Sequence, residues 1–85
     1  MICKTITLPP QLPASRMLAA QLVQLTSRFE SRIMIENEQK VVNGKSLLGL
    51  LSLYDVLDKP LQLKAEGSDE EEAVKAVLDF IGTEA

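Results

Sequence analysis

Apolar and polar residues alternate along the first eight positions of the chain. A repeat of two residues is the pattern of a strand that buries one face. The side richer in large apolar residues carries Ile2, Lys4, Ile6 and Leu8. The alternation predicts a half-buried first strand, and we expect Cys3 to be a small hydrophobe buried in it.

The next apolar residues recur at the spacing of a helix. They are Leu18, Leu22, Leu25 and Phe29, which share one helical face. Ser15 precedes this run and is predicted to be the N-cap, because a serine side chain can accept a hydrogen bond from an unpaired amide of the first turn.

The middle of the chain predicts a hairpin and a short helix. The segments are a strand over Arg32–Glu36, a polar turn over Asn37–Lys40, a returning strand from Lys40 to Val42, a helix that Ser46 opens and that reaches about Leu53, and a loop over Tyr54–Pro60.

The last third predicts one more strand and one more helix. Leu61–Gly67 alternates apolar and polar residues, and the acidic run that follows has capping-box spacing, from Ser68 to Glu71 or from Asp69 to Glu72. Acidic residues suit the positive end of a helix dipole, so this run is interpreted as a capped helix start and not as a metal site. The predicted buried face carries Val74, Val77, Leu78 and Ile81.

These elements follow the order β-α-β-β-α-β-α. A chain of 85 residues has room for one hydrophobic core, so residues 1–85 are predicted to form a single domain. The predicted fold class is α+β, with a four-stranded antiparallel sheet and three helices packed on one face.

Composition narrows the classes of function. Nine Lys and Arg against twelve Asp and Glu give a net charge of −3, which argues against nucleic acid and anionic membranes as main partners. A single cysteine allows no intramolecular disulfide, and no run approaches the roughly 20 apolar residues of a membrane span. We therefore expect a cytoplasmic protein.

Two features bear on chemistry. The chain has no histidine, which removes the usual general base and the commonest metal ligand, so we expect no enzymatic activity, no metal and no cofactor. Gly44-Lys45-Ser46 looks like the end of a phosphate-binding loop. That motif needs a glycine at position 39, where Gln39 stands, so nucleotide binding is disfavoured.

Two segments carry a family pattern. The first matches at Asn43, Lys45, Ser46, Gly49, Leu50, Ser52 and Leu53, and the second at Ala65, Glu66, Gly67, Asp69 and Glu70. On these residues the chain resembles the HPr family, the small phosphocarrier proteins of the bacterial sugar phosphotransferase system. The resemblance covers nearly the whole chain and implies the HPr-like open-faced sandwich.

The family's active centre is the main departure from the pattern. The family opens its first helix with Gly-Leu-His-x-Arg-Pro-Ala. Here Ser15 stands at the position of the phosphorylated histidine and Met17 at that of the arginine, while Arg16 lies about 100° round the helix. A phosphoserine is a stable ester and does not pass its phosphoryl group on. The resemblance therefore implies that the carrier function is lost.

Ser46 is the remaining phosphorylation site of the family pattern. The resemblance, to the histidine-less catabolite-repression subset, implies that an HPr-type serine kinase/phosphorylase modifies Ser46. It also implies that the phosphorylated protein binds a catabolite control transcriptional regulator. The family places its partner surface around the second helix and the start of the first. The partner-binding residues implied here are Ser15, Arg16, Ala20, Lys45, Leu47, Leu48 and Leu51.

Alternatives stay open at this stage. The alternative for Ser46 is a plain N-cap, and the chain would then be an HPr-like docking module with no working phosphorylation site. A carrier that uses another residue, such as Cys3, is a third hypothesis. The leucines of the second helix span an arc of roughly 220° on the helical wheel. The apolar stripe of a helix that buries only one side is narrower, with a minimum width of about 100°. We therefore expect part of the set Leu47, Leu48 and Leu51 to face solvent or a partner, and Leu50 and Leu53 to face the core.

Two loops give further expectations. Pro9, Pro10 and Pro13 stiffen the link after the first strand, a condition under which that strand can exchange between two chains, so a strand-swapped homodimer is a further hypothesis. Tyr54 and Asp58 replace two family glycines, which predicts a different path for the loop after the second helix.

Overall fold

Among the residues that the structure describes, four strands and three helices follow one another in the predicted order. The computed structural model describes residues 1–8, 15–53 and 59–82, so the expectations for Pro9, Pro10, Pro13, Tyr54 and Asp58 lie outside the described residues. The elements are β1 (Ile2–Ile6), α1 (Arg16–Thr26), β2 (Arg32–Glu36), β3 (Val41–Asn43), α2 (Leu47–Leu51), β4 (Leu61–Glu66) and α3 (Glu70–Ile81). The predicted α+β class is confirmed.

The strands form one antiparallel sheet in the order β1-β4-β2-β3. β4 lies between β1 and β2 because its alternate residues Leu61, Leu63 and Ala65 are buried and extend the apolar face of both neighbours. The helices cover this face, with α3 against β4 and α1 against both other helices. The opposite face of the sheet carries no helix among the described residues.

The hydrophobic core lies between the sheet and the helices, and it contains most of the residues that periodicity placed there. The fully buried residues include Leu22 of α1, Ile33 and Ile35 of β2, and Val77 of α3. Leu18, Leu25, Phe29 and Leu78 pack against this cluster at partial burial. The predicted apolar faces of α1 and α3 are therefore confirmed.

The expectation for Cys3 is wrong, because its side chain is exposed. Successive side chains of a strand point to opposite faces, and Cys3 falls on the helix-free face of β1, opposite Lys64 of β4. Its Sγ lies 3.0 Å from the side-chain oxygen of Gln62. The predicted alternation is present in β1, and the side with Cys3 faces solvent.

The capping box predicted at the start of α3 is also wrong, because its residues have other hydrogen-bond partners. Asp69 is the N-cap residue but makes no side-chain capping hydrogen bond within α3. Its carboxylate instead accepts hydrogen bonds from the amides of Glu30 and Ser31, both at 2.9 Å, and from the Ser31 hydroxyl. Glu70 accepts from the amide of Gly67 at 3.1 Å. The acidic run does start a helix, and Asp69 also ties that helix to the segment after α1.

Candidate phosphorylation site and docking surface

The segment between β3 and α2 is held to its neighbours through Gly44. The Gly44 amide donates to the carbonyl of Ile33 at 2.7 Å, and the Gly44 carbonyl accepts from the buried hydroxyl of Thr26 at 2.9 Å. A Cβ at this position would lie 2.6 Å from Cγ2 of Ile33. The glycine of the Gly-Lys-Ser stretch therefore permits close packing on β2.

Ser46 is the N-cap of α2, as predicted. Its backbone is extended (φ −108°, ψ 120°), and its Oγ accepts a hydrogen bond from the amide of Gly49 at 3.1 Å. Its carbonyl accepts from the amide of Leu50 at 3.0 Å, which closes the first turn of the helix. The side chain is half-buried, so the hydroxyl lies at the protein surface and within the first turn of α2.

The ammonium group of Lys45 forms a hydrogen bond with the protein backbone. Its Nζ donates to the carbonyl of Phe29 at 2.7 Å, and its amide donates to the side-chain oxygen of Asn43 at 2.8 Å. A cation on a backbone carbonyl forms a charge-assisted hydrogen bond, stronger than one between neutral groups. The residue next to Ser46 therefore joins the start of α2 to the segment that follows α1.

The leucines of α2 divide as the wide apolar arc predicts. Leu48 is 76% exposed, whereas Leu50 is 1% and Leu53 0% exposed. Leu47 and Leu51 take an intermediate place, because both are half-buried and pack against the core. The apolar surface at α2 therefore consists of most of Leu48 and the outer parts of Leu47 and Leu51.

The start of α1 repeats the cap geometry. Ser15 is the N-cap, and its Oγ accepts from the amide of Leu18 at 3.2 Å. Arg16 is exposed and Ala20 is half-buried on the next turn. Met17 is 70% exposed, a docking candidate that the partner-binding prediction missed. The sequence already indicated this exposure, because Met17 lies off the helical face that Leu18 and Leu22 share.

The two serines lie at opposite ends of α1. Ser15 caps its first turn, while Gly44 and Lys45 contact Thr26 in its last turn and Phe29 beyond it. With a rise of about 1.5 Å per residue, Ser15 and Thr26 are about 16 Å apart along the axis. The predicted partner-binding residues lie on α1 and α2 or at their starts, and these two helices pack against each other.

No group of His, Cys, Asp or Glu side chains among the described residues is arranged to hold a metal ion. Within the same ranges, no helix is long and apolar enough to cross a membrane. The chemistry available at this surface is that of a serine hydroxyl, a lysine ammonium already bonded, and exposed apolar side chains.

An open-faced α+β sandwich with serine at the start of α1 and of α2, and without histidine, defines a protein of the phosphocarrier class that lacks the acceptor histidine. The chain belongs to the HPr family: the family model PTS-HPr, described as the PTS HPr component phosphorylation site, matches residues 4–83. Members of this family are phosphocarrier or regulatory proteins and not enzymes, in agreement with the expectation from the missing histidine.

Two relatives place the chain in a subset of the family. It is 46% identical over 66 residues to the HPr-like protein Crh of Halalkalibacterium halodurans, covering 78% of this chain and 79% of that protein. It is 38% identical over 66 residues to Crh of Bacillus subtilis, covering 78% of each chain. The chain is therefore an HPr-like protein of the Crh kind.

Solved structures agree with this placement. HPr-C-His from Thermoanaerobacter tengcongensis superimposes with a TM-score of 0.82 at 39% identity, over 98% of this chain and 93% of that one. Crh of Bacillus subtilis superimposes with a TM-score of 0.72 at 35% identity, over 84% of this chain and 82% of that one. The latter is described as a catabolite repression protein that crystallised as a domain-swapped, intertwined dimer.

Proposed function

We propose that this protein is a cytoplasmic regulator of carbon catabolism, a single HPr-like domain over residues 1–85, that is switched by phosphorylation of Ser46. An HPr-type serine kinase/phosphorylase adds and removes the phosphoryl group. The phosphorylated form docks on a catabolite control transcriptional regulator, and the protein itself contacts neither nucleic acid nor membrane.

The observation that carries the proposal is the half-buried hydroxyl of Ser46 within the first turn of α2, in a family whose matching description is a phosphorylation site. A phosphate there adds about −1.5 to −2 charges at the positive end of the helix. Leu50, the first buried residue of α2, is already packed, so the modification changes the surface and leaves the core in place.

Docking uses the exposed side chains near the starts of α1 and α2. Leu48 and Met17 offer exposed apolar area, each beside a helix start, and Arg16 adds a positive charge next to Met17. Burial of apolar surface contributes about 25 cal/mol per Å², and the phosphate provides about 1–3 charge-assisted hydrogen bonds to a basic partner. Modification and apolar contact thus act on the same partner through separate groups.

The test is incubation with a purified HPr-type serine kinase and ATP, followed by intact mass. We expect one phosphoryl group on the wild-type chain, none on Ser46→Ala, and one on Ser15→Ala, which removes the other serine cap as a matched control. An unmodified wild-type chain would favour the second candidate, a docking module without a working phosphorylation site. Modification of Ser46→Ala would place the acceptor elsewhere.

The regulator is tested by titrating the phosphorylated chain against the purified transcriptional regulator. Leu48→Ala is expected to weaken binding while modification proceeds as in the wild type. The observation that favours the docking module is that Leu48 is exposed in the unmodified chain. Equal binding of the phosphorylated and unmodified chains to the regulator would support the docking module.

A strand-swapped homodimer is proposed as one assembly of this chain. The support is the swapped dimer described for Crh of Bacillus subtilis and an HPr dimer from Thermoanaerobacter tengcongensis, which is 42% identical and covers 81% of this chain. Sedimentation across a wide concentration range tests it, and a monomer throughout would exclude the dimer.

A further inference from the structure

One peptide group after α1 is held by opposite charges at its two ends. The carbonyl oxygen of Phe29 accepts from the ammonium of Lys45 at 2.7 Å. The amide of Glu30, which belongs to the same peptide unit, donates to the carboxylate of Asp69 at 2.9 Å. Lys45 precedes the cap of α2 and Asp69 is the cap of α3, so this single peptide unit connects the starts of two helices.

The Asp69 side of the connection is firmly seated. The carboxylate also accepts from the amide and the hydroxyl of Ser31, whose side chain is fully buried. A Cβ on Gly67 would lie 2.6 Å from Cα of Ser31, so the turn before α3 packs directly on this segment. The geometry leaves Asp69 few ways to move without changing the backbone at Glu30.

The two charges act on the peptide in the same direction. A cation at the carbonyl oxygen draws electron density toward the oxygen, which makes the N–H of the same unit a better donor, and an anion at the N–H makes the oxygen a better acceptor. Hydrogen bonds in such a chain strengthen one another. Each of the two charged groups should therefore bind the peptide more weakly when the other is absent.

We propose that Lys45 and Asp69 are coupled through the Phe29–Glu30 peptide, so that a charge added at Ser46 is felt at the start of α3. A phosphate at Ser46 is an acceptor next to Lys45 and competes with the Phe29 carbonyl for the ammonium. Loss of that bond weakens the Glu30–Asp69 bond and loosens the first turn of α3. The link to Ser46 rests on the proposed function, whereas the coupling itself does not.

The coupling is tested by a double-mutant cycle of unfolding equilibria with Lys45→Met and Asp69→Asn. We expect the double variant to be less destabilised than the product of the single effects, by a factor of about 2 or more in the unfolding constant. The matched control is Lys40→Met, since Lys40 also donates to a backbone carbonyl, that of Ser52. The unfolding constant of the Lys40→Met, Asp69→Asn double variant should change by the product of the two single effects, as expected for independent sites. If the effects of Lys45→Met and Asp69→Asn on the unfolding constant also simply multiply, the proposal is overturned.

A second measurement does not need the Asp69→Asn variant and so remains possible if that variant fails to fold. Hydrogen exchange of the Glu30 amide should be faster in Lys45→Met than in the wild type and unchanged in Lys40→Met. Equal exchange in all three would also overturn the coupling.

The link to Ser46 is tested with phosphoserine placed at position 46 by chemical synthesis, so no kinase is needed. We expect faster exchange of the Glu30 and Ser31 amides after modification, and no such change when Lys45→Met is also present. Unchanged exchange in the phosphorylated chain would overturn the link. A kinase that fails to modify Ser46 would refute the proposed function and leave this result standing.

Discussion

The starts of α1 and α2 have nearly the same local geometry. Ser15 has φ −108° and ψ 112°, and Ser46 has φ −108° and ψ 120°. Each hydroxyl accepts from the amide three residues on, at 3.2 Å and 3.1 Å, and each carbonyl accepts from the amide four residues on, at 3.0 Å in both. A serine cap of this kind is a general device for starting a helix.

The residues that follow the caps repeat the pattern. The second residue after each cap is a large exposed hydrophobe, Met17 at 70% and Leu48 at 76% exposure. The fourth is fully or almost fully buried, Ala19 at 0% and Leu50 at 1%. Both helix starts therefore present one apolar side chain to solvent and direct the next turn into the core.

The difference lies in what surrounds the caps. The start of α2 is anchored, through Lys45 to the carbonyl of Phe29 and through Gly44 to Ile33 and Thr26. At the start of α1 the first residue, Arg16, is exposed, and the family's histidine and arginine are replaced. Cap geometry by itself thus does not distinguish a modification site from a plain cap. What differs between the two starts is the set of contacts that the neighbouring residues make.

The largest expected effect concerns transfer chemistry at the start of α1. The protein should accept no phosphoryl group from phosphoenolpyruvate through the first enzyme of the system, and Ser15→His alone should not restore transfer, because Met17 supplies no guanidinium partner. Acid-labile, base-stable label on the wild-type chain would contradict this. Ser15→His combined with Met17→Arg is the sharper arm, in which label is expected to appear.

The next effect separates buried from exposed leucines at the start of α2. Leu50→Ala should lower the free energy of unfolding by roughly 2–5 kcal/mol, because it leaves a cavity, whereas Leu48→Ala should change it by less than about 0.5 kcal/mol. Leu47→Ala should fall between them. Thermal and denaturant melts of the three variants measure this. If Leu47→Ala is as destabilised as Leu50→Ala, Leu47 belongs to the core and not to the docking surface.

A smaller effect tests whether the two caps are equivalent in energy as well as geometry. Ser15→Ala and Ser46→Ala should each cost about 1 kcal/mol of stability, because each leaves one helix amide unpaired. Threonine at either position should recover most of the loss. A much larger cost at Ser46 than at Ser15, in urea melts under the same conditions, would mean that the anchored start of α2 depends on the serine beyond its cap.

The smallest effect is confined to acidic solution and concerns the third helix start. Hydrogen bonds from the Ser31 hydroxyl, and next from the Glu30 amide, hold the pKa of Asp69 below its ordinary value of 3.8. A carboxylate with a lowered folded-state pKa stabilises the fold above the unfolded value, and this contribution is lost as pH falls through the folded value. The melting temperature should therefore drop below about pH 4.

Two variants identify the source of that drop. Asp69→Asn should remove this part of the pH dependence. Ser31→Ala should reduce it, because the hydroxyl is the largest cause of the lowered pKa. An acid transition of Asp69→Asn that matches the wild type at every pH would assign the drop to other carboxylates, such as Glu70, whose pKa is lowered by the Gly67 amide.

Local patterns were sufficient for the elements, their order and the two serine caps. Side-chain periodicity and capping depend on residues within one turn or one strand, so Leu22 and Val77 could be assigned to the core, and Ser15 and Ser46 to helix starts, from spacing alone. The predicted exposure within the α2 leucines also followed from spacing, since five leucines cover too wide an arc to be buried together.

The tertiary structure decided where the polar side chains go. Asp69 could satisfy its own helix or the segment after α1, and Lys45 could face solvent or the Phe29 carbonyl, and sequence spacing does not distinguish these choices. Cys3 is exposed because the described helices cover only the other face of the sheet, and spacing within β1 does not show whether its second face is covered. These outcomes depend on groups far away in the chain that only packing brings within hydrogen-bond distance, and that distance dependence is why local sequence cannot specify them.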